Sequence, residues 1–268
     1  MQNIDPLYFA TPLAVISLMA GLLAYWHGRR RLATGVLLYS LIAYAGAIAL
    51  KYAVQIPTYS AFESVTGGSK LALGVYFGAQ TALFEVGLAY VVARLALSRS
   101  KLQPEDAEGY GLGLAFWENG VLLAVPLLID YVVYYAILAA PNSSTAQVLY
   151  TTLYQSSPVL FYPPASAIPL IGYAVLERIS SIIAHFSWGL LTLTAAARGR
   201  WALFFVALPF GFTIDFLAPF AGVLGLGVFE LAIFLVSLLA LASALALTRR
   251  SRLAEAGVAP IEGSPSNT

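Results

Sequence analysis

Residues 172–189 read GYAVLERISSIIAHFSWG, a run that is apolar except for a carboxylate (Glu177), a guanidinium (Arg178) and an imidazole (His185). The run is long enough to cross a bilayer, and ionisable groups at membrane depth are costly enough to need partners and a purpose. Glu177, Ser181 and His185 step by four, so a helix places them on one slowly drifting stripe. Arg178 and His185 are seven apart and nearly eclipsed, while Ile179, Ile182 and Ile183 face elsewhere. One face can thus present an acid or base, a hydroxyl, a cation and a metal-binding imidazole. The chemistry open to such a set is metal ligation, general base catalysis, proton relay or a buried ion pair.

Of the 13 Asp and Glu residues, six fall inside apolar runs: Glu85, Glu118, Asp130, Glu177, Asp215 and Glu230. Asn119 adds a polar amide. Helical rise puts Glu85 mid-way along its run, Asp215 in the middle-to-outer part of its own, and Glu118 about two turns in from one end. Asp130 and Glu230 read as structural, and His27, beside Arg29 to Arg31, as interfacial. Arg178 is expected to be neutralised by Glu85 or Asp215.

The elements that must carry these groups follow from composition. Sixty per cent of the 268 residues are hydrophobic and 10% are charged, with a mean hydropathy of +0.81. Soluble domains carry about 25% charged residues. Repeated apolar runs of about 20 residues identify an all-α, polytopic membrane protein, and the absence of strict alternation excludes a membrane β-barrel. The chain has no Cys, hence no disulfide or thiol chemistry, and its net charge of +1 gives no case for nucleic acid. The first apolar run lacks the basic start of a cleavable signal and reads as a retained helix.

Seven spans are expected, over about 7–27, 32–54, 71–97, 110–139, 166–197, 201–220 and 223–247. A polar segment over 55–70 and an uncharged Ser-, Thr-, Tyr- and Pro-rich loop over 140–165 separate them. The alternatives are a re-entrant segment near 161–169 or a division of the fourth helix. Eleven of the 14 Lys and Arg residues follow the first, third, fifth and seventh spans, which predicts the N-terminus outside and the C-terminus cytoplasmic. Lys51 and Lys70 then flank the opposite side. Residues 1–248 form one transmembrane domain, and 249–268 a polar, disordered cytoplasmic tail. The expected location is the plasma membrane of a prokaryote.

The order of the polar motifs resembles the YhfC family of membrane peptidases, which looks related to the CAAX-protease and PrsW group of intramembrane glutamate-dependent metalloproteases. Phe84-Glu85 matches the start of a Phe-Glu-Glu-x-x-Arg motif, with Val86 and Ala89 in place of its second Glu and its Arg. Gly111, Gly113 and Glu118 match Gly-x-Gly-His-Gly-x-x-Glu, with Leu114 at the His position. Glu177, Arg178 and His185 match Glu-Arg-x-x-small-x-x-x-His in full. Asp215 matches the end of His-x-x-x-Asp, with Gly211 at its His. The similarity covers about residues 71–220.

The resemblance implies a metal, Zn2+, held by His185, Glu118 and Asp215, with Glu85 as general base. It implies further catalytic roles for Glu118, Glu177 and Arg178, the last pairing a carboxylate or stabilising an oxyanion. It also implies a membrane-embedded or lipidated peptide substrate among membrane lipids. Two other readings stand beside this one: a transporter or permease with an intramembrane acidic and His ion or proton site, and a non-catalytic scaffold or accessory subunit, for which Leu114 and Gly211 argue.

Overall fold

A computed structural model describes residues 2–30, 32–140 and 142–255. Among these residues there is no strand, and seven helices are long and apolar enough to cross a membrane. They are Pro6–Arg29, Thr34–Val65, Lys70–Ser98, Pro104–Leu138, Pro164–Arg198, Trp201–Leu224 and Leu226–Ser251, here the first to seventh spans. Many large apolar side chains stay exposed along them, Leu83, Phe205 and Leu239 among them. That is the pattern of a bundle whose outer surface faces hydrocarbon rather than water.

Three boundaries differ from those expected. The second span does not stop near residue 54 but runs through Pro57 to Val65. A proline inside a transmembrane helix is tolerated when neighbouring Ser or Thr side chains take up the disturbed backbone groups, and the Thr58 hydroxyl donates to the Val54 carbonyl at 2.6 Å. The turn comes at Gly67 and Gly68, whose φ values of 61° and 68° lie in the left-handed region. The loop over 140–165 contains a helix, Ser144–Ser156, whose N-terminus is capped by the Ser143 hydroxyl accepting from Ala146 N–H at 3.0 Å. Leu153, Leu160 and Phe161 from this region pack with Ile4, Tyr8 and Leu138 into a satellite cluster. The last helix continues to Glu255, so 249–255 are helical rather than tail. The remaining tail residues lie outside the described part of the chain.

The fifth span is the axis of the bundle, in contact with the first, third, fourth, sixth and seventh spans. Against the fourth it packs backbone to backbone. A Cβ built on Gly111 would lie 2.4 Å from the Phe186 carbonyl oxygen, and one on Gly189 would lie 2.4 Å from the Gly111 Cα. Only glycines allow backbones this close, the small-residue packing by which membrane helices associate. Across neighbouring spans the Tyr110 hydroxyl donates to the Ala89 carbonyl and the Trp117 indole to the Leu37 carbonyl, each at 2.8 Å.

Two spans are not uniformly α-helical. Thr81–Val86 in the third and Phe116–Ala124 in the fourth are π-helical. A π turn inserts one residue and rotates the side chains beyond it by about 100° relative to an unbroken helix, and such turns concentrate at functional sites. Glu85 lies in the first of these segments, and Glu118 and Asn119 in the second.

The glycine contact yields a stability test. Gly189→Val is expected to destabilise the purified protein by about 3 kcal/mol, because the added atoms meet backbone that cannot move aside. Gly172→Ala, with nothing within 4 Å of the new Cβ, is expected to cost nothing. Tryptophan-fluorescence melts of the two variants in detergent check the contrast.

Candidate metal centre

The polar groups of five spans meet in one cavity of about 260 Å³. Lys51 comes from the second span, Thr81 and Glu85 from the third, Glu118 from the fourth, Glu177, Arg178, Ser181 and His185 from the fifth, and Asp215 from the sixth. Tyr44 and Trp188 form part of the wall, with the Trp188 ring centred 4.2 Å from the imidazole.

Within this cavity Glu85, Glu118 and His185 offer one ligand atom each, all within 4.8 Å of one another. His185 Nε2 lies 3.1 Å from Glu85 Oε2 and 2.5 Å from Glu118 Oε2. The imidazole is oriented from its far side: Nδ1 is 2.9 Å from the Ser181 carbonyl and 3.3 Å from the Ser181 hydroxyl. A histidine anchored at one ring nitrogen with the other aimed into a cavity has the tautomer and direction of a metal ligand.

Asp215 is not part of this triad. Its Oδ2 accepts from the Thr81 hydroxyl and from Lys51 Nζ, the latter at 2.9 Å, and Lys51 also donates to Glu85 Oε1. Lys51 therefore bridges Glu85 and Asp215, and Asp215 reaches the triad only through it. Arg178 pairs with the adjacent Glu177 and not with Glu85 or Asp215, because Lys51 already engages both of those. Its Nη1 also donates to Asn119 Oδ1 at 3.4 Å, and Asn119 Nδ2 donates to the Ser181 hydroxyl at 3.2 Å. Asp130 is exposed, and Glu230, 2% exposed, does not line the cavity.

Lys51 is expected from the sequence at the membrane edge, where a second helix ending at about 54 would put it. With that span extending to Val65, Lys51 sits in its middle with its side chain only 13% exposed. The available signal was that Pro57 is the one breaker between Val54 and Gly67, and a membrane helix can carry a proline. The two positions at which the resemblance leads one to expect His, Leu114 and Gly211, are closed by packing. A Cβ on Gly211 would lie 2.7 Å from Val86 Cγ2, so the valine that replaces the second Glu fills the notch beside it. Leu114 is 2% exposed within the main core.

The donor set fits a divalent cation on two grounds. Glu118 Oε2 is buried and accepts no hydrogen bond, although it lies 2.5 Å from His185 Nε2. A buried carboxylate oxygen without a hydrogen bond is costly, and one imidazole nitrogen cannot serve two carboxylates at once. The cavity also holds the carboxylates of Glu85, Glu118, Glu177 and Asp215 against the permanent cations of Lys51 and Arg178. The four carboxylates outnumber the two permanent cations by two, and within the Glu85, Glu118 and His185 cluster a proton on the imidazole or a bound cation is what can offset the excess.

Removing the bridging ammonium tests the electrostatic account. Lys51→Met is expected to cost about 3 kcal/mol by leaving two carboxylates without their counter-ion. Lys51→Arg should retain much of the stability, and Lys51→Met combined with Glu85→Gln and Asp215→Asn should recover most of the loss. Thermal unfolding of this series is the measurement, and a Lys51→Met protein as stable as the parent would refute the bridge.

No curated protein and no solved structure matches the chain. A family model described as YhfC intramembrane metalloprotease matches residues 14–248. The match takes in all of the spans that bring Glu85, Glu118 and His185 together, and by it the chain belongs to the YhfC intramembrane metalloprotease family.

Proposed function

We propose that this protein is a single-metal, glutamate-dependent protease that hydrolyses a peptide bond of a membrane-embedded or lipidated substrate. The observation that carries the proposal is the convergence of Glu85, Glu118 and His185, from three separate spans, on one membrane-depth cavity. His185 Nε2 and Glu118, whose carboxylate offers two oxygens, would hold the metal, with zinc the ion best suited to an imidazole and carboxylate set. Bound there, a divalent metal supplies Lewis-acid polarisation of the scissile carbonyl and of a water molecule.

The remaining work belongs to side chains. Glu85 has one oxygen tied to Lys51, so its Oε2 is left facing the imidazole and the cavity. That oxygen is the general base: it takes the proton of the attacking water and passes it to the departing amine. Lys51 fixes the Glu85 carboxylate in direction, and Asp215 orients Lys51 in turn. Arg178 faces the cavity with donors beyond those used by Glu177 and Asn119, and is positioned to stabilise developing oxyanion charge. The ring of Trp188 and the wall of Tyr44 and Ile48 keep bulk water from the imidazole.

The distribution of Lys and Arg along the chain supports an N-terminus outside and a cytoplasmic C-terminus; that the membrane is the plasma membrane of a prokaryote is part of the proposal. Protein reconstituted with zinc and washed free of excess metal is expected to hold one ion per chain by elemental analysis. Glu118→Ala and His185→Ala should each weaken metal binding by about tenfold or more. Glu85→Gln should keep the metal while lowering cleavage of a membrane-embedded peptide by at least about a hundredfold. A wild-type protein that binds no metal after reconstitution would overturn the proposal.

A further inference from the structure

The Glu177–Arg178 pair borders two cavities. One holds the Glu85, Glu118 and His185 cluster; the second, of about 290 Å³, lies between the first, fourth and fifth spans. Apart from Thr11 and the ion pair its walls are apolar, built by Val15, Leu123, Leu127 and Ala174 among others. Neither Glu85, Glu118, His185 nor Lys51 lines it. Its size excludes an intact substrate helix, about 10 Å across with its side chains, but suits a large aliphatic side chain.

The ion pair is not closed on itself. The Glu177 side chain is 46% exposed, although it lies well inside a span. Arg178 has five N–H donors, of which one goes to Glu177 and one to Asn119. Free acceptor capacity and free donors thus sit side by side on a unit with no net charge. That combination complements a peptide group, which brings one N–H and one C=O, better than it complements a lone ion. A substrate segment unwound inside a membrane needs partners for both of those groups. A chain of contacts also runs from the pair to the cluster, Arg178 to Asn119 to Ser181 to His185, at 3.4, 3.2 and 3.3 Å.

We propose that the second cavity is the specificity pocket for a large neutral aliphatic residue of an unwound substrate segment, whose adjoining peptide group is held by Glu177 and Arg178. The inference rests on the protease reading for the cleavage step after binding, but the binding itself requires no metal. Substrates with Leu or Ile at this position are favoured, and acidic residues are rejected by the apolar walls and the Glu177 carboxylate.

The test is photo-crosslinking of the full-length protein in lipid nanodiscs with acetyl-photoleucine-leucine-amide, read by mass spectrometry. Labelling is expected on the segments that carry Leu123, Leu127 and Ala174. Unlabelled acetyl-Leu-Leu-amide should compete, and acetyl-Asp-Asp-amide should not. Filling the pocket with Ala174→Phe should lower labelling about tenfold, the scale on which small changes in an apolar pocket discriminate, while zinc stoichiometry is unchanged. Leu127→Phe replaces it should the first variant fail to fold. Replacing both pair residues, Glu177→Gln with Arg178→Gln, should weaken labelling with the walls intact. Labelling confined to other segments, equal competition by the acidic peptide, undiminished labelling in the filled variants, or displacement by dodecanoate but not by the dipeptide would each overturn the pocket. Labelling as expected in a protein that binds no zinc would remove the protease reading and leave the pocket standing.

Discussion

The Lys51 ammonium between Glu85 and Asp215 is the contact on which the arrangement of the polar interior depends. A charge carried into a membrane bundle must be met by an opposite one, and breaking such a pair leaves an uncompensated charge behind. By engaging Glu85 and Asp215 together, Lys51 ties the second, third and sixth spans at one depth. It also leaves Arg178 to its own neighbour Glu177 and to Asn119. The result is two separate charge systems sharing one cavity. One fixes the direction of a carboxylate beside His185, and the other stands at the mouth of an apolar pocket.

Geometry at the triad is a consequence of how the backbone is bent and how closely it packs. Glu85 and Glu118 sit in π-helical turns of adjacent spans, and His185 rises from the fifth span, which is pressed onto the fourth at Gly111 and Gly189. The π turns re-aim the two carboxylates. The glycine contact brings the helix of the imidazole close enough for both carboxylates to reach Nε2. The site is therefore a property of three helices in register, held by interhelical packing and by hydrogen bonds such as Tyr110 to Ala89.

Where the chain departs from the motifs of its family, it does so by closing space rather than leaving it open. Gly211 accepts the Val86 side chain, and Leu114 fills the core near Gly189. What remains is a candidate ligand set with one imidazole, and a lysine as an internal counter-ion. A polar cavity and an apolar one meet at the Glu177–Arg178 pair.

Much was determined by the sequence alone. Hydropathy over runs of about 20 residues fixes a seven-span helical bundle, because a backbone in hydrocarbon has to satisfy its own hydrogen bonds. The fourfold spacing of Glu177, Ser181 and His185 identifies the polar face of the fifth span, and rarity singles out Glu85, Glu118 and Asp215 as groups needing partners. The pairing among them was decided by the tertiary structure. Helical periodicity gives the azimuth of a side chain on its own helix, but not the rotation of that helix against its neighbours or the offset added by a π turn. For the same reason Lys51 was hidden: its depth depends on whether the second helix survives Pro57, and a proline inside a membrane helix is kept or lost according to the neighbours that satisfy the backbone around it. The helix Ser144–Ser156 was hidden because its stability comes from packing against Ile4, Tyr8 and Leu138, contacts far away in the chain.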